Sequence, residues 1–286
     1  MVIKSTASFR IEAVPVYSDA VEGIQRQPFM DDPGSQDAEP PSLLLALLEA
    51  PRALTEASTL IPARSFLKSL GVGDGHAVMT LPGFLASDSS TRVLRRYCQD
   101  WGYDSHPWEQ GRNLGLSHNR DIEQSLDQRL EELYRKSGKK VSLIGWSLGG
   151  LFAREMARRN PDLVRLVITL GSPIGNPRAT NAWRLYEFLS GTSIDEAKIQ
   201  KRVRALRDPL QNVPVTAIYS RTDAIVSWQI SKLPEGKLVE NLGINTSHLG
   251  MGFNPAVLYA IADRLRQPEG RWAPFEIRGF RNLFFH

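Results

Sequence analysis

Val141-Ser142-Leu143-Ile144 is an apolar run that leads directly into Gly145-Trp146-Ser147-Leu148-Gly149-Gly150. A good helix former, Leu151-Phe152-Ala153-Arg154-Glu155-Met156-Ala157, follows. A strand that ends in a Gly-x-Ser-x-Gly corner and turns into a helix has few ways to fold. The turn sits at the C-terminal edge of a sheet and holds the serine in a strained backbone conformation. Side chains at positions 145 and 149 would collide with the neighbouring strand and helix, so glycine is needed at both. Ser147 then lies at a helix N-terminus, where free N–H groups favour developing negative charge. The five-residue pattern alone also fits a glycine-rich turn in a doubly wound fold. The strand before it and the helix after it give it weight.

The rest of the chain repeats that rhythm. Ala77–Leu81, 163–170, 213–219 and 237–242 read as strands; 91–101, 121–136, 148–159 and 254–265 read as helices. Ile122, Leu126, Leu130, Leu133 and Tyr134 share one face at helical spacing. Strands alternating with helices imply βαβ units and a mostly parallel sheet with helices on both faces. Residues 172–212 break the alternation and are mostly helical, forming either a cap over a site or an extra packing helix. Before the sheet, residues 1–70 read as an N-terminal extension. Its turn-rich stretch, Met30 to Pro41, precedes two or three short helices divided by Pro51 and Pro62. Residues 71–286 form the main domain.

Bulk properties exclude several classes. The net charge of +4 comes from 35 basic and 31 acidic residues, and the basic ones are spread along helices without a nucleic-acid motif. Cys98 is the single cysteine, so neither an internal disulfide nor a thiolate metal cluster can form. The histidines are too scattered for a metal site, and no nucleotide fingerprint is present; no metal or other cofactor is expected. Met1 to Arg10 lacks the apolar core of a signal peptide, and no apolar run reaches the roughly 18 residues of a membrane span. A cytoplasmic location is the expectation.

From His76 to Leu265 the chain resembles the α/β-hydrolase superfamily, particularly bacterial carboxylesterases and lipase-like serine hydrolases. The resemblance implies the α/β-hydrolase fold and a triad in the order nucleophile, acid, histidine. His76, His106 and His118 precede Ser147, and His286 is the last residue, which leaves His248 in the loop Asn245-Thr246-Ser247-His248. The acid is expected just after the strand Val215–Tyr219, where Asp223 stands; Asp208 precedes that strand and Asp195 lies in a helical segment. Asp223 also suits a simple turn.

The same resemblance implies an oxyanion hole. One donor is the N–H of Leu148, directly after the nucleophile. The other comes from the loop Leu81-Pro82-Gly83-Phe84-Leu85, where relatives often carry His-Gly. Gly83 permits close approach; Phe84 is assigned as the donor, with Leu85 the alternative. Gly83, Leu85, Trp146 and Trp228 are candidates for a substrate pocket, although aromatic residues at such points serve a core equally well.

The implied activity is cleavage of short- to medium-chain acyl esters through an acyl-enzyme. An acyltransferase or thioesterase using the same residues is the alternative, as is a lipid-active lipase. Leu43 to Leu48 and the tail containing Trp272, Phe275, Phe280, Phe284 and Phe285 either touch a lipid surface peripherally or pack on the domain. The expected partner is a small ester, with no nucleic acid.

Overall fold

The computed structural model describes residues 38–115, 121–190 and 196–286. The turn-rich stretch before residue 38, His118 and Asp195 lie outside them. Two helices come first, α1 (Leu43–Leu47) and α2 (Glu49–Ser69). They precede β1 (Ala77–Leu81), α3 (Arg92–Asp100), β2 (Asp104–Pro107) and α4 (Ile122–Ser137). Next come β3 (Val141–Trp146), α5 (Leu148–Arg159) and β4 (Val164–Leu170). After α6 (Trp183–Ser190) and α7 (Glu196–Arg207) follow β5 (Val215–Tyr219), α8 (Trp228–Ser231), β6 (Val239–Gly243) and α9 (Pro255–Leu265).

The six strands form one sheet in the order β2-β1-β3-β4-β5-β6, and every pairing is parallel. Strands β1, β3, β4 and β5 are buried along their whole length. Both faces of those strands are covered, so each is mostly apolar and does not alternate, with Thr80, Ser142, Arg165, Thr169 and Thr216 the polar residues buried among them. One core layer joins Val78, Ile144, Ile168 and Ile218 to Leu258 and Ile261 of α9. The other joins Met79, Leu143, Val167 and Val215 to Leu126 and Leu130 of α4 and Phe152 of α5. Burying one such side chain contributes about 1.5–3 kcal/mol. Asn254 caps α9, its Oδ1 accepting from the N–H groups of Ala256 (2.9 Å) and Val257 (3.4 Å), with Pro255 in the first turn.

The helices before the sheet differ from the expectation. Pro62 lies inside α2, which runs unbroken for 21 residues. Proline removes a hydrogen bond to the carbonyl four residues back; that residue, Ser58, is exposed, so water can take its place. Strand β2, Asp104-Ser105-His106-Pro107, is absent from the sequence reading, because an edge strand can be polar and can hold a proline. Leu43, Leu44 and Leu47 are exposed, whereas Phe275 and Phe285 of the tail are buried with ring centroids 4.7 Å apart. No helix among the described residues is long and apolar enough to cross a membrane.

At the end of the sheet where the strands begin, a polar network joins buried His76, Ser142 and Arg165 to the exposed Asp74. His76 is fully buried; its Nδ1 lies 2.5 Å from Asp74 Oδ1, and its Nε2 2.7 Å from Ser142 Oγ. Arg165 donates to Asp74 Oδ2 (2.7 Å) and to the Gln267 carbonyl (2.6 Å). Burial drives the imidazole down to about 4; the Asp74 hydrogen bond and charge resist, and the Arg165 and Lys139 charges add to the fall. In the unfolded chain a histidine titrates near 6.5, so between pH 6.5 and 4 the unfolded state binds the extra proton. The stability contributed by neutral His76 is therefore present above about pH 6.5 and lost as pH falls toward 4, by on the order of 3 kcal/mol. Urea midpoints across this range should show the advantage of the wild type over His76→Gln shrinking; a constant difference contradicts the account.

Candidate active site

Ser147 occupies the corner between β3 and α5 with φ 53° and ψ −124°, a left-handed backbone that costs a residue with a Cβ about 1–3 kcal/mol. The surroundings enforce it. The Ser147 N–H donates to the Leu170 carbonyl at the end of β4 (2.8 Å), and the Gly150 N–H donates to the Ser147 carbonyl (3.0 Å). A methyl group on Gly145 would strike the backbone of Gly150, and one on Gly149 would strike the carbonyl of Leu81. Both glycines are there for close approach.

Asp223 and His248 come from the loops after β5 and β6, and both are at least 96 % removed from solvent, with 4 % exposure each. Asp223 Oδ2 lies 2.6 Å from His248 Nδ1, and Asp223 Oδ1 accepts from the N–H groups of Ile225 and Val226 at 2.8 Å each. The pair stands over the end of β4. A methyl carbon placed on Gly171 would lie 3.0 Å from Asp223 Oδ2 and 3.1 Å from His248 Nδ1. Burial alone would push the His248 imidazole down, but the charge and hydrogen bond of Asp223, helped by the charge of Glu49, outweigh it and hold the pKa above the usual value. The three residues thus converge on the end of β4: the Ser147 N–H bonds the Leu170 carbonyl, and the Asp223–His248 pair lies against Gly171.

Next to Ser147 lies the loop after β1. A methyl carbon on Gly83 would sit 3.1 Å from Ser147 Cβ and 3.7 Å from its Oγ. Buried Asn113 organises this loop. Its side-chain amide donates to the Pro82 carbonyl (2.7 Å), its carbonyl takes the Leu85 N–H (2.7 Å), and its N–H reaches the Ala86 carbonyl (2.8 Å). The Leu85 N–H is therefore already used, which removes it as the alternative donor. The N–H groups of Phe84 and Leu148 have no partner among the described residues, and both residues line a cavity with Ser147.

That cavity holds about 380 Å³, and its walls include Leu151, Phe152, Val203, Leu206 and Val226. Trp183 and Tyr186 of α6 close it from the segment after β4. Tyr186 packs edge-on against Phe84, with ring centroids 5.3 Å apart, and stacks on Trp183 at 5.8 Å. Arg202 is the one charged side chain in the described wall. Among the described residues no group of three His, Cys, Asp or Glu side chains is arranged to hold a metal ion.

Comparison with known proteins agrees with this layout. The family described as "PGAP1-like alpha/beta domain" matches residues 113–248, a span that contains Ser147, Asp223 and His248. Aspergillus fumigatus lipase B superposes with a TM-score of 0.52 at 18% identity, over 71% of this chain and 55% of that one. A structure from the metagenome-derived lipolytic enzymes LipS and LipT superposes with a TM-score of 0.52 at 16% identity, over 68% of this chain and 93% of that one. The chain has the α/β-hydrolase fold. The pimeloyl-[acyl-carrier protein] methyl ester esterase of Shewanella woodyi is 34% identical over 70 residues, 24% of this chain. The match spans about a quarter (27%) of that relative's length.

Four residues expected in a substrate pocket, Gly83, Leu85, Trp146 and Trp228, are not among the residues that line this cavity. Trp146 is buried in the core, and its Nε1 donates to the His248 carbonyl (3.1 Å), so it props the histidine loop. Trp228 packs against Tyr219, 6.0 Å between ring centroids, beneath Arg221 and Lys232. Gly83 and Leu85 shape the neighbouring loop without facing the cavity. Part of the cavity wall, Trp183, Tyr186, Val203 and Leu206, comes from the helices after β4, which no short-range motif announces.

Proposed function

We propose that this chain hydrolyses carboxylic esters with acyl groups of short to medium length through an acyl-enzyme on Ser147. One observation carries the reading: a buried aspartate–histidine pair and a strained serine that opens onto an apolar cavity meet at the end of β4, at Gly171 and Leu170. The lipase and esterase relatives support the same reaction class.

Ser147 Oγ attacks the ester carbonyl as His248 Nε2 takes its proton, since a free serine is too weak a nucleophile at neutral pH. Asp223 keeps the imidazole proton on Nδ1 and stabilises the imidazolium. The N–H groups of Phe84 and Leu148 receive the oxyanion, each worth about 3–4 kcal/mol in the transition state. The protonated His248 gives its proton to the departing alcohol, leaving Ser147 acylated. Water, deprotonated by His248, then releases the acid and restores the serine.

A panel of p-nitrophenyl esters of graded acyl length, with fluorophosphonate labelling of Ser147, tests this. Turnover of none of them, with no labelling, ends the proposal; products that shift to a new ester or thioester when an alcohol or thiol is added assign acyl transfer instead. The acyl chain is assigned to the cavity. Val203→Trp should accordingly lower kcat/KM for the longest accepted ester about tenfold or more relative to the acetyl ester. An unchanged ratio places the chain elsewhere.

A further inference from the structure

Helix α2 is almost entirely a surface helix: of its 21 residues only Glu49, Ala53 and Leu67 are buried. A glutamate buried to 2 % exposure is costly unless its oxygens are satisfied. Glu49 is satisfied by the two loops of the site. Its Oε1 accepts from the Ala224 N–H (2.9 Å) and its Oε2 from the Leu249 N–H (3.1 Å). These are the residues immediately after Asp223 and His248.

The same helix face holds the residues on the other side. Arg52 donates to the Thr222 carbonyl (2.6 Å) and to its hydroxyl (2.8 Å), just before Asp223, and lies 3.8 Å from Glu49. Glu56 accepts from the Ser247 N–H (2.6 Å), just before His248, and from Asn254 Nδ2 (2.9 Å) and the Thr246 hydroxyl. Positions 49, 52 and 56 recur at helical spacing, so one stripe of α2 grips both neighbours of both residues. Simple docking of a helix requires apolar contact; it does not require that each charged group land on a residue adjoining the acid or the base.

We propose that Glu49, Arg52 and Glu56 are positioning residues that set the separation and angle of Asp223 and His248, with Glu49 the bridge between them. The inference rests on the reading of Ser147, Asp223 and His248 as an acyl-transfer triad. Charged groups facing His248 are Asp223 from the loop after β5 and Glu49 from α2, with Arg52 and Glu56 one step further along the same helix. The negative charge of Glu49 supports the imidazolium as well as the geometry.

Glu49→Gln tests the bridge. An amide keeps the shape but loses the charge and replaces one of the two acceptors by a donor. The expected result is labelling of Ser147 by a fluorophosphonate at least tenfold slower at the pH optimum. The ascending limb of kcat/KM should move to lower pH, and KM for a short ester should stay within twofold. The downfield proton resonance of the His248 Nδ1–H should shift, while Leu54→Ser, on the exposed side of α2, changes none of these. Wild type that is not labelled overturns the triad reading itself. Wild type that is labelled, with Glu49→Gln matching it in rate, pH limb and proton shift, overturns only the clamp. Should Glu49→Gln fail to fold, Glu56→Gln is read in the same way, and unfolding of both variants would make α2 a scaffold and end the proposal.

Discussion

Replacing Ser147 by alanine is expected to lower ester turnover by about a millionfold, the scale seen when the nucleophile is removed from a unit of this kind. The fold should survive. The corner is held by the Ser147 N–H to Leu170 and by the tight approaches of Gly145 and Gly149, none of which uses the hydroxyl. Alanine carries the same Cβ as serine, so the backbone strain at φ 53° is unchanged. What disappears is the hydroxyl oxygen proposed to become acylated. The N–H groups of Phe84 and Leu148 remain, so a residue of catalysis over water, about a thousandfold to ten-thousandfold, should persist. Steady-state turnover of a p-nitrophenyl ester, run beside fluorophosphonate labelling, measures both quantities. An alanine variant as active as wild type means the nucleophile is elsewhere.

Asp223→Asn should cost about ten-thousandfold in turnover without disturbing the structure, and the reason lies in the other carboxylate oxygen. Asp223 Oδ1 accepts two N–H bonds, from Ile225 and Val226, at 2.8 Å each. In the asparagine variant the amide oxygen must stay there, because an NH2 group facing two donors would leave all of them unpaired. The NH2 group is then turned toward His248 Nδ1, at the place where Oδ2 stood 2.6 Å away. It donates, so Nδ1 must accept and the ring proton moves to Nε2. That tautomer cannot take a proton from Ser147. Initial rates from pH 6 to 9 would check this; a loss smaller than tenfold would mean that Asp223 does not orient the imidazole.

Much of this arrangement can be read in the residues before any coordinates. Central strands such as β3 and β4 are buried on both faces, so they stand out as apolar runs, and the glycines around Ser147 declare the corner between them. Asp223 and His248 follow from the chain order that the resemblance implies, and the structure brings the two together at 2.6 Å. Other parts leave no local trace. Strand β2 is polar because it lies at the edge, and Pro62 is tolerated within a helix because Ser58, whose carbonyl loses its partner, is an exposed residue. Trp146 is next to the nucleophile in sequence, yet its side chain points into the core, since alternate residues of a strand face opposite sides. Glu49 and Glu56 look like ordinary charges on a wet helix. Only the three-dimensional packing reveals that they meet backbone donors some 175 to 200 residues further along the chain.

Helix α2 therefore changes where this protein can be cut. A fragment beginning at Ala77 would retain all six strands, the serine corner and the walls of the cavity. It would also leave the N–H groups of Ala224, Ser247 and Leu249 without the carboxylates that now receive them. The smallest working unit is thus larger than the smallest sheet, and anyone trimming the chain for crystallisation or fusion should keep the helix that begins at Glu49.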